Sequence, residues 1–485
     1  MTPDSLLTTH AIYKEWIEEW TLYKIAYNGG WPFIKYALHR HSRETAGNWK
    51  ERLDEGFNFN FCESIIDIIN FYLTEKPADR NIGPLSSDPQ WKMFYEDADL
   101  HGMPYNDLIV NLDLNASIWG GVGILVNKPN IGQITVQDEL ANRIYPYIAI
   151  YTLENILDWK VERNPNSHRK ELTYLKLKED DGSYLIWTRD SWELWKTNDN
   201  KDPDLVDMGE NPLDEIPFTW MPNIKKWHGT PFGQSDLVEI ARICASIVRD
   251  LSCGQEIMKF AGFPMMRKPM RKEGEAAAPD VVGAGNVLEF NPEDGEDGKP
   301  DWLPAEVLEP IEAVLKWIDR KSDEIFRIRH MSGVHGQRKS NNEVASGLAL
   351  RTEFQQLNTL LGKKADQLNR IEIKILRLWL MWQNKSDLLD DIQITRQKSF
   401  SVEDLSVALD NIFTATERIP SRTFVVKSLL LAAKQALPDA SEEVMETIKS
   451  EIDANADTYI QRLNEETPQE ITIPATAPRI KDTSH

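Results

Sequence analysis

The chain has 485 residues, of which 41% are hydrophobic and 27% charged, and a formal net charge of -22. That length can bury a sizeable core and suggests two to four structural modules. The acidic balance excludes a protein that wraps nucleic acid on a basic surface, because that mode needs bases to neutralise phosphates.

The first hundred residues read as mainly helical. HSRETAGNWKERLDEG is polar and charged, and FNFCESIIDIINFYLTEKP is strongly apolar, with Ile65, Ile66, Ile69 and Tyr72 at helical spacing and Pro77 as the stop. Further helices are expected through WKMFYEDADL and YNDLIVNLDLNASIW. At Gly120 the pattern changes. GGVGILVNKP reads as a glycine turn entering a strand; it lacks the G-x-G-x-x-G spacing and the Lys-Ser ending of a phosphate loop. YPYIAIYTLENILDWKVE, LTYLKLKE, SYLIWTRDSWELWKT and IPFTWMP are short β-branched and aromatic runs, so residues 120–222 form a strand-rich unit.

From Ser235 the period returns to helical. Leu237, Ile240, Cys244, Ile247, Val248 and Leu251 share one face. Ser235 suits an N-cap, with Asp236 and Glu239 at the positive helix start. Cys244 and Cys253 fit as small buried apolar groups. The helix should end near Gly262. The stretch 263–307 is basic, then acidic, with a strand in VVGAGNVLEF and a turn-rich NPEDGEDGKPD. It has too few apolar residues for its own core and needs burial by neighbours.

Helix returns after Pro310 with an Ile311, Leu315, Ile318, Ile325, Ile328 stripe. A polar, glycine-bearing loop follows, whose mobile part is expected at 332–342. Beyond it Leu350, Phe354, Leu357, Leu361, Ala365, Leu368, Ile371, Ile375, Leu378 and Trp382 step by three or four, a helix of roughly 35–40 residues, or ~55 Å. The last segment has VEDLSVALDNIF and then two helices expected to be capped by Ser421 and Ser441. The tail 471–485 is rich in proline and threonine.

Cys62, Cys244 and Cys253 show no C-x-x-C pairing, which argues against a zinc site and a disulfide framework and points to synthesis in a reducing compartment. The N-terminus MTPDSLLTTH lacks a secretory pattern, and SLLLAAKQAL is too short and too interrupted to span a bilayer. Sixteen tryptophans suit core and subunit contacts. No H-E-x-x-H, G-x-S-x-G or kinase signature occurs. Ser332 and His335 lack an orienting acid, and Glu179-Asp180-Asp181 reads as a solvated face. No enzyme activity, cofactor or metal is expected.

The order of elements resembles the portal proteins of tailed bacteriophages across most of the chain. The resemblance is carried by Ile216-Pro217-Phe218 followed by Gly233-Gln234-Ser235-Asp236-Leu237, by Ser346-Gly347-Leu348-Ala349-Leu350, and by IPSRTFVVKSLL with SEEVMETIKSEI. RETAGNWKERL and FCESIIDIINFYL also look like the family's opening helices. The resemblance implies an α+β, mainly helical portal fold with wing, stem, clip and crown. Residues 1–233 would be the wing (helical 1–119, strand-rich 120–222), 234–262 and 308–331 the stem helices, and 263–307 the clip. Residues 332–345 would be the tunnel loop, 346–399 a long wing/crown helix and its connection, and 400–470 the crown.

It further implies a ring, usually of twelve subunits, at one capsid vertex of a virion made in the host cytoplasm. Double-stranded DNA would pass through the channel without sequence readout, driven by a terminase. The clip would dock the terminase and then a head-tail adaptor, and the major capsid protein would surround the ring; no membrane is involved. Arg338 and Lys339 are the expected phosphate contacts in the channel, with Gln337, Asn341 and Asn342 as neutral hydrogen-bonding groups. The alternative is that these bases are merely solvated. Arg267, Lys268, Arg271 and Lys272 are the expected clip-docking bases; they could instead pair with Glu289, Glu293, Asp294 and Glu296. Two rival readings are a non-portal assembly scaffold or adaptor that uses the long helix as a coiled coil, and a DNA-processing enzyme, for which no catalytic set is found.

Overall fold

The computed structural model describes residues 6–130, 132, 135–198, 202–224, 230–262, 266–269, 287–290, 301–302, 308–331, 347–398, 413–416, 419, 421–437 and 442–466. The chain divides into two units, 1–400 and 401–485. The fold is α+β and mainly helical, with antiparallel pairing dominating the sheets.

The first unit opens with six helices: α1 (Ala11–Asn28), α2 (Gly30–Ala37), α3 (Ala46–Asp54), α4 (Phe61–Thr74), α5 (Pro89–Glu96) and α6 (Tyr105–Trp119). Their starts are chemically marked. His10, Thr45, Asn60 and Asp88 each accept a hydrogen bond from a backbone N–H in the first turn of the helix that follows, satisfying donors that the helix leaves unpaired. Trp91 and Phe94 of α5 and Tyr105 of α6 bury their rings together. Strand β1 (Asp79–Asn81) lies between α4 and α5.

Gly120 ends α6 in the left-handed region, φ +88, and the chain turns directly into β2 (Gly121–Asn127). The corner is tight. A Cβ on Gly120 would lie 2.6 Å from the Gly233 carbonyl oxygen. The Gly120 carbonyl itself accepts from Asn223 N at 2.9 Å and Gly233 N at 2.7 Å. The glycine pair is therefore a turn into a buried strand, as its spacing implied.

A short helix α7 (Val136–Ala141), not evident in the sequence, is closed by a capping box from Thr135 and Asp138. The strands β3 (Tyr147–Thr152), β4 (Ile156–Arg163), β5 (Lys170–Lys178), β6 (Tyr184–Thr188), β7 (Ser191–Thr197), β8 (Pro203–Glu210) and β9 (Phe218–Pro222) follow. They form two sheets: β3-β2-β9, and the sequential meander β4-β5-β6-β7-β8. Strand β8, PDLVDMGE, is an additional edge strand. It lacks apolar alternation because it is exposed along most of its length.

Three long helices complete this unit: α8 (Ile240–Gly262), α9 (Leu308–Ile328) and α10 (Gly347–Trp382). Between α8 and α9 the short strands β10 (Met266–Pro269), β11 (Val287–Phe290) and β12 (Asp301–Trp302) pair in the order β11-β10-β12. Helix α10 has 36 residues, as the apolar period predicts, and buries Leu357, Leu361, Ala365, Leu368, Ile371, Ile375 and Leu378. After it, β13 (Gln393–Thr395) pairs antiparallel with β1, 300 residues and more away in the chain. In the second unit, α11 (Arg422–Ala436) and α12 (Glu442–Glu466) are joined by Arg422, which pairs with Asp453 at 3.1 Å and Asp457 at 3.4 Å.

Some sequence expectations need correction. Ser421 holds the N-cap position of α11, but its side chain makes no capping bond. Leu315 is exposed and not part of a buried stripe, because only the Ile318 and Ile325 side of α9 meets the rest of the chain. Cys253 is exposed too, since it lies on the outer face of α8 next to buried Ser252. Ser441, most of VEDLSVALDNIF and the tail 471–485 lie outside the described residues.

The Gly120 corner gives a direct test. Gly120→Ala should destabilise the protein by about 1–3 kcal/mol, seen as a lower urea midpoint with an unchanged slope.

Candidate functional site

Helices α8 and α9 form an antiparallel hairpin. Lys321 Nζ donates to Ser246 Oγ at 2.7 Å and pairs with Asp250 at 2.5 Å, while further out Gly254 faces Val314. The small three-stranded sheet occupies the chain between the two helices. Phe61 of α4 meets Phe326 of α9 edge-on, with ring centroids 6.2 Å apart. The hairpin leaves large apolar groups uncovered: Met258 on α8, and Leu315 and Trp317 on α9, are each more than half exposed. Lys321 Nζ also lies 5.1 Å from the Trp317 ring centroid, a cation over an aromatic face.

At the base of the hairpin sits a buried ion cluster. Lys364, on α10, is 2% exposed. Its Nζ lies 3.0 Å from Asp236 Oδ2 and 3.5 Å from Asp113 Oδ1. It donates to Ser117 Oγ at 2.6 Å and Asn223 Oδ1 at 3.0 Å. The Asp236 contact is off hydrogen-bond angle and acts as an ion pair. Arg329, just past α9, pairs with the other Asp236 oxygen at 3.1 Å and donates to the Asp236 carbonyl. Asn70 Nδ2 supports Asp113 at 3.1 Å. One lysine thus ties α10 to α6, to the end of β9 and to the turn before α8.

Asp236 and Lys364 are held in their charged forms by their neighbours. Burial alone would lift the Asp236 carboxyl, but Lys364 and Arg329 outweigh it and keep it below the usual carboxylate value. Burial would lower Lys364, but Asp113 and Asp236 outweigh it and raise the ammonium. The Asp236 contribution to stability is therefore present above the unfolded carboxylate value, about 3.9. It is lost as pH falls through the lower folded value. The Lys364 contribution is present below the unfolded lysine value, about 10.4, and is lost as pH rises through the higher folded value.

A second cluster lies two turns along α10. Glu372, fully buried, receives Arg80 from β1 and Arg396 from just after β13. Arg80 also donates to Asn106 Oδ1 at 2.6 Å, and Arg396 to Asn369 Oδ1 at 2.7 Å. Both clusters are built to fix position. Among the described residues, no group of three or more His, Cys, Asp or Glu side chains is placed to hold a metal ion. No described helix is long and apolar enough to cross a membrane.

Asp236 was expected to complement the start of a helix. It is instead the carboxylate between Lys364 and Arg329, and α8 begins only at Ile240. Ser235 does cap locally: its Oγ accepts from Leu237 N at 3.0 Å, inside a turn that precedes the helix. Gln337, Arg338, Lys339, Asn341 and Asn342 lie outside the described residues, as do Arg271 and Lys272. Arg267 and Lys268 are on β10, and the Cα register sets Lys268 opposite Glu289 of β11. Helix α9 stops before the polar loop by a left-handed residue, His330 at φ +58, with Met331 N bonded to the Phe326 carbonyl at 2.8 Å.

No protein-family model matches the chain, and no curated protein matches it. Solved structures give distant likenesses. A chain from the neck of an empty GTA particle computed with C6 symmetry is 11% identical, at TM-score 0.41, over 73% of this chain and 85% of that one. A chain from the neck of the native particle computed with C12 symmetry is 11% identical, at TM-score 0.39, over 73% and 84%. A chain from the virion of the native gene transfer agent particle is 13% identical, at TM-score 0.36, over 80% and 94%.

The buried cluster predicts a large and pH-dependent effect. Lys364→Met leaves the buried Asp113 carboxylate without a cation and Asp236 with Arg329 alone, and should cost about 3–5 kcal/mol at pH 7. The loss should shrink at pH 4.5, where protonation can relieve the carboxylate left without a cation, and urea titrations at the two pH values check it.

Proposed function

We propose that this chain is the subunit of a portal ring, a structural and non-enzymatic channel at one vertex of a phage-type capsid. The observation that carries the reading is the α8–α9 hairpin. It is antiparallel, interrupted by a small strand-bearing insertion, and followed by a long helix pinned through its middle. That is the order in which the sequence resembles portal proteins. The exposure of Met258, Leu315 and Trp317 adds to it, because a single chain leaves apolar helix surface that neighbouring copies in a ring would cover.

In this reading 1–233 is the wing, 234–262 and 308–331 the stem, 263–307 the clip, 332–345 the tunnel loop and 400–470 the crown. The clip takes the terminase during packaging and an adaptor afterwards, with Arg267, Lys268, Arg271 and Lys272 as docking bases. Arg338 and Lys339 touch passing phosphates, with Gln337, Asn341 and Asn342 beside them. Such contacts are weak and independent of sequence. The net charge of -22 suits a channel that must not retain DNA.

The rival scaffold reading needs the apolar stripe of α10 for a partner helix. Leu357, Leu361, Leu368, Ile371 and Ile375 are already buried, which disfavours it.

Twelve copies of a 55.8 kDa chain would form a particle of about 670 kDa with a central hole. Native mass and particle images of the purified protein, concentrated with and without capsid components, should show such a ring. A species that stays a dimer under all of these conditions overturns the portal reading. Trp317→Glu should prevent ring formation while leaving the circular dichroism spectrum unchanged. Arg338→Ala with Lys339→Ala should lower the DNA retained per capsid; unchanged retention would remove the phosphate-contact role alone.

A further inference from the structure

Cys62 and Cys244 come from α4 and α8, 182 residues apart in the chain, and their sulfur atoms lie 3.5 Å from one another. Both are 1% exposed. Cys62 stands in the first turn of α4, and Cys244 on the buried face of α8 with Ile240, Ile247 and Val248. The contact therefore lies where the first helix of the hairpin is seated on the N-terminal helices. We infer that Cys62 and Cys244 are an oxidisable dithiol that a peroxide closes into a disulfide, latching α8 to α4.

The geometry needs little rearrangement. The sulfurs must approach from 3.5 Å to about 2.05 Å, the length of a disulfide bond. No third thiol competes, because Cys253 lies nine residues further along α8, about 13 Å at the helical rise, and is exposed. The hydrogen bond that Cys62 donates to Cys244 and then burial hold the Cys62 thiol well above its ordinary value, so the pair is unreactive in the closed core. Closure follows brief openings of the α4–α8 contact and is slow.

The chemistry balances. One thiol gives up its proton and attacks a peroxide oxygen, breaking the O–O bond and leaving a sulfenic acid and one water. The second thiol attacks that sulfur and expels the second water. Two electrons pass from the sulfurs to the peroxide, and a thiol reductant reverses the link. In a reducing compartment the latch stays open; in an oxidising medium it closes.

The test uses the full chain carrying Cys253→Ser, an exposed position, incubated folded with dilute hydrogen peroxide, then denatured and alkylated. The expected result is loss of both alkylatable thiols, an intact mass lower by two hydrogens, and a peptide joining Cys62 to Cys244. Dithiothreitol should restore both thiols. The unfolding midpoint should rise by several degrees on oxidation and return on reduction, and neither change should occur in Cys62→Ser. The inference is overturned if both thiols remain alkylatable after an exposure that fully oxidises Cys253 in the unmodified chain. It is also overturned if the sulfurs gain oxygen without joining, or if the link forms only between chains.

Discussion

A lysine ammonium in a dry site must be matched by carboxylates, and those carboxylates must be brought to it by other elements. Lys364 imposes that constraint on the first unit. Its partners come from α6, from the end of β9 and from the turn before α8, so α10 can adopt one seat among these elements. Buried pairs of this kind contribute little net stability beyond an apolar replacement, because desolvation offsets attraction. Their effect here is positional. Glu372 repeats the device with reversed sign, an anion between two guanidinium groups. Two charged pins eight residues apart prevent a helix of this length from slipping by a turn along an otherwise uniform apolar stripe.

The neighbouring pieces follow from the same seat. The Gly120 corner lets the end of α6 touch the backbone of 233–235, which places Asp236 within reach of Lys364. Ser235 donates to the Ser117 and Ile118 carbonyls, tying that turn to the last residues of α6. Arg329 then carries the anchor to the end of α9, so both ends of the hairpin base meet one carboxylate.

Much of this fold was legible as periodicity. The 36-residue run of α10 and the strand-rich region after Gly120 both show in spacing alone. The anchors did not. A single lysine or glutamate within an amphipathic helix has the appearance of a solvated face, and the groups that bury Lys364 and Glu372 lie far off in sequence. Asp236 misled for a related reason: Ser-Asp before an apolar stripe has the composition of a helix cap, and only the distant lysine reveals its other use. Strand β8 escaped notice because an exposed edge strand need not alternate. The expected loop and docking bases rest on resemblance, since most of them fall outside the described residues.

The long separations in the anchor also bear on how the chain comes to be folded. The meander β4-β5-β6-β7-β8 joins only sequence neighbours and can form as soon as it is made. Lys364 reaches Ser117 across 247 residues and Asn223 across 141, and Arg80 waits 292 residues for Glu372. In chain order Asp113 and Arg80 precede their ion-pair partners on α10, and Asp236 precedes Lys364 although Arg329 comes before that helix. Closing the N-terminal layers over the place of α10 before that helix is present would bury these charges incompletely paired, which is costly.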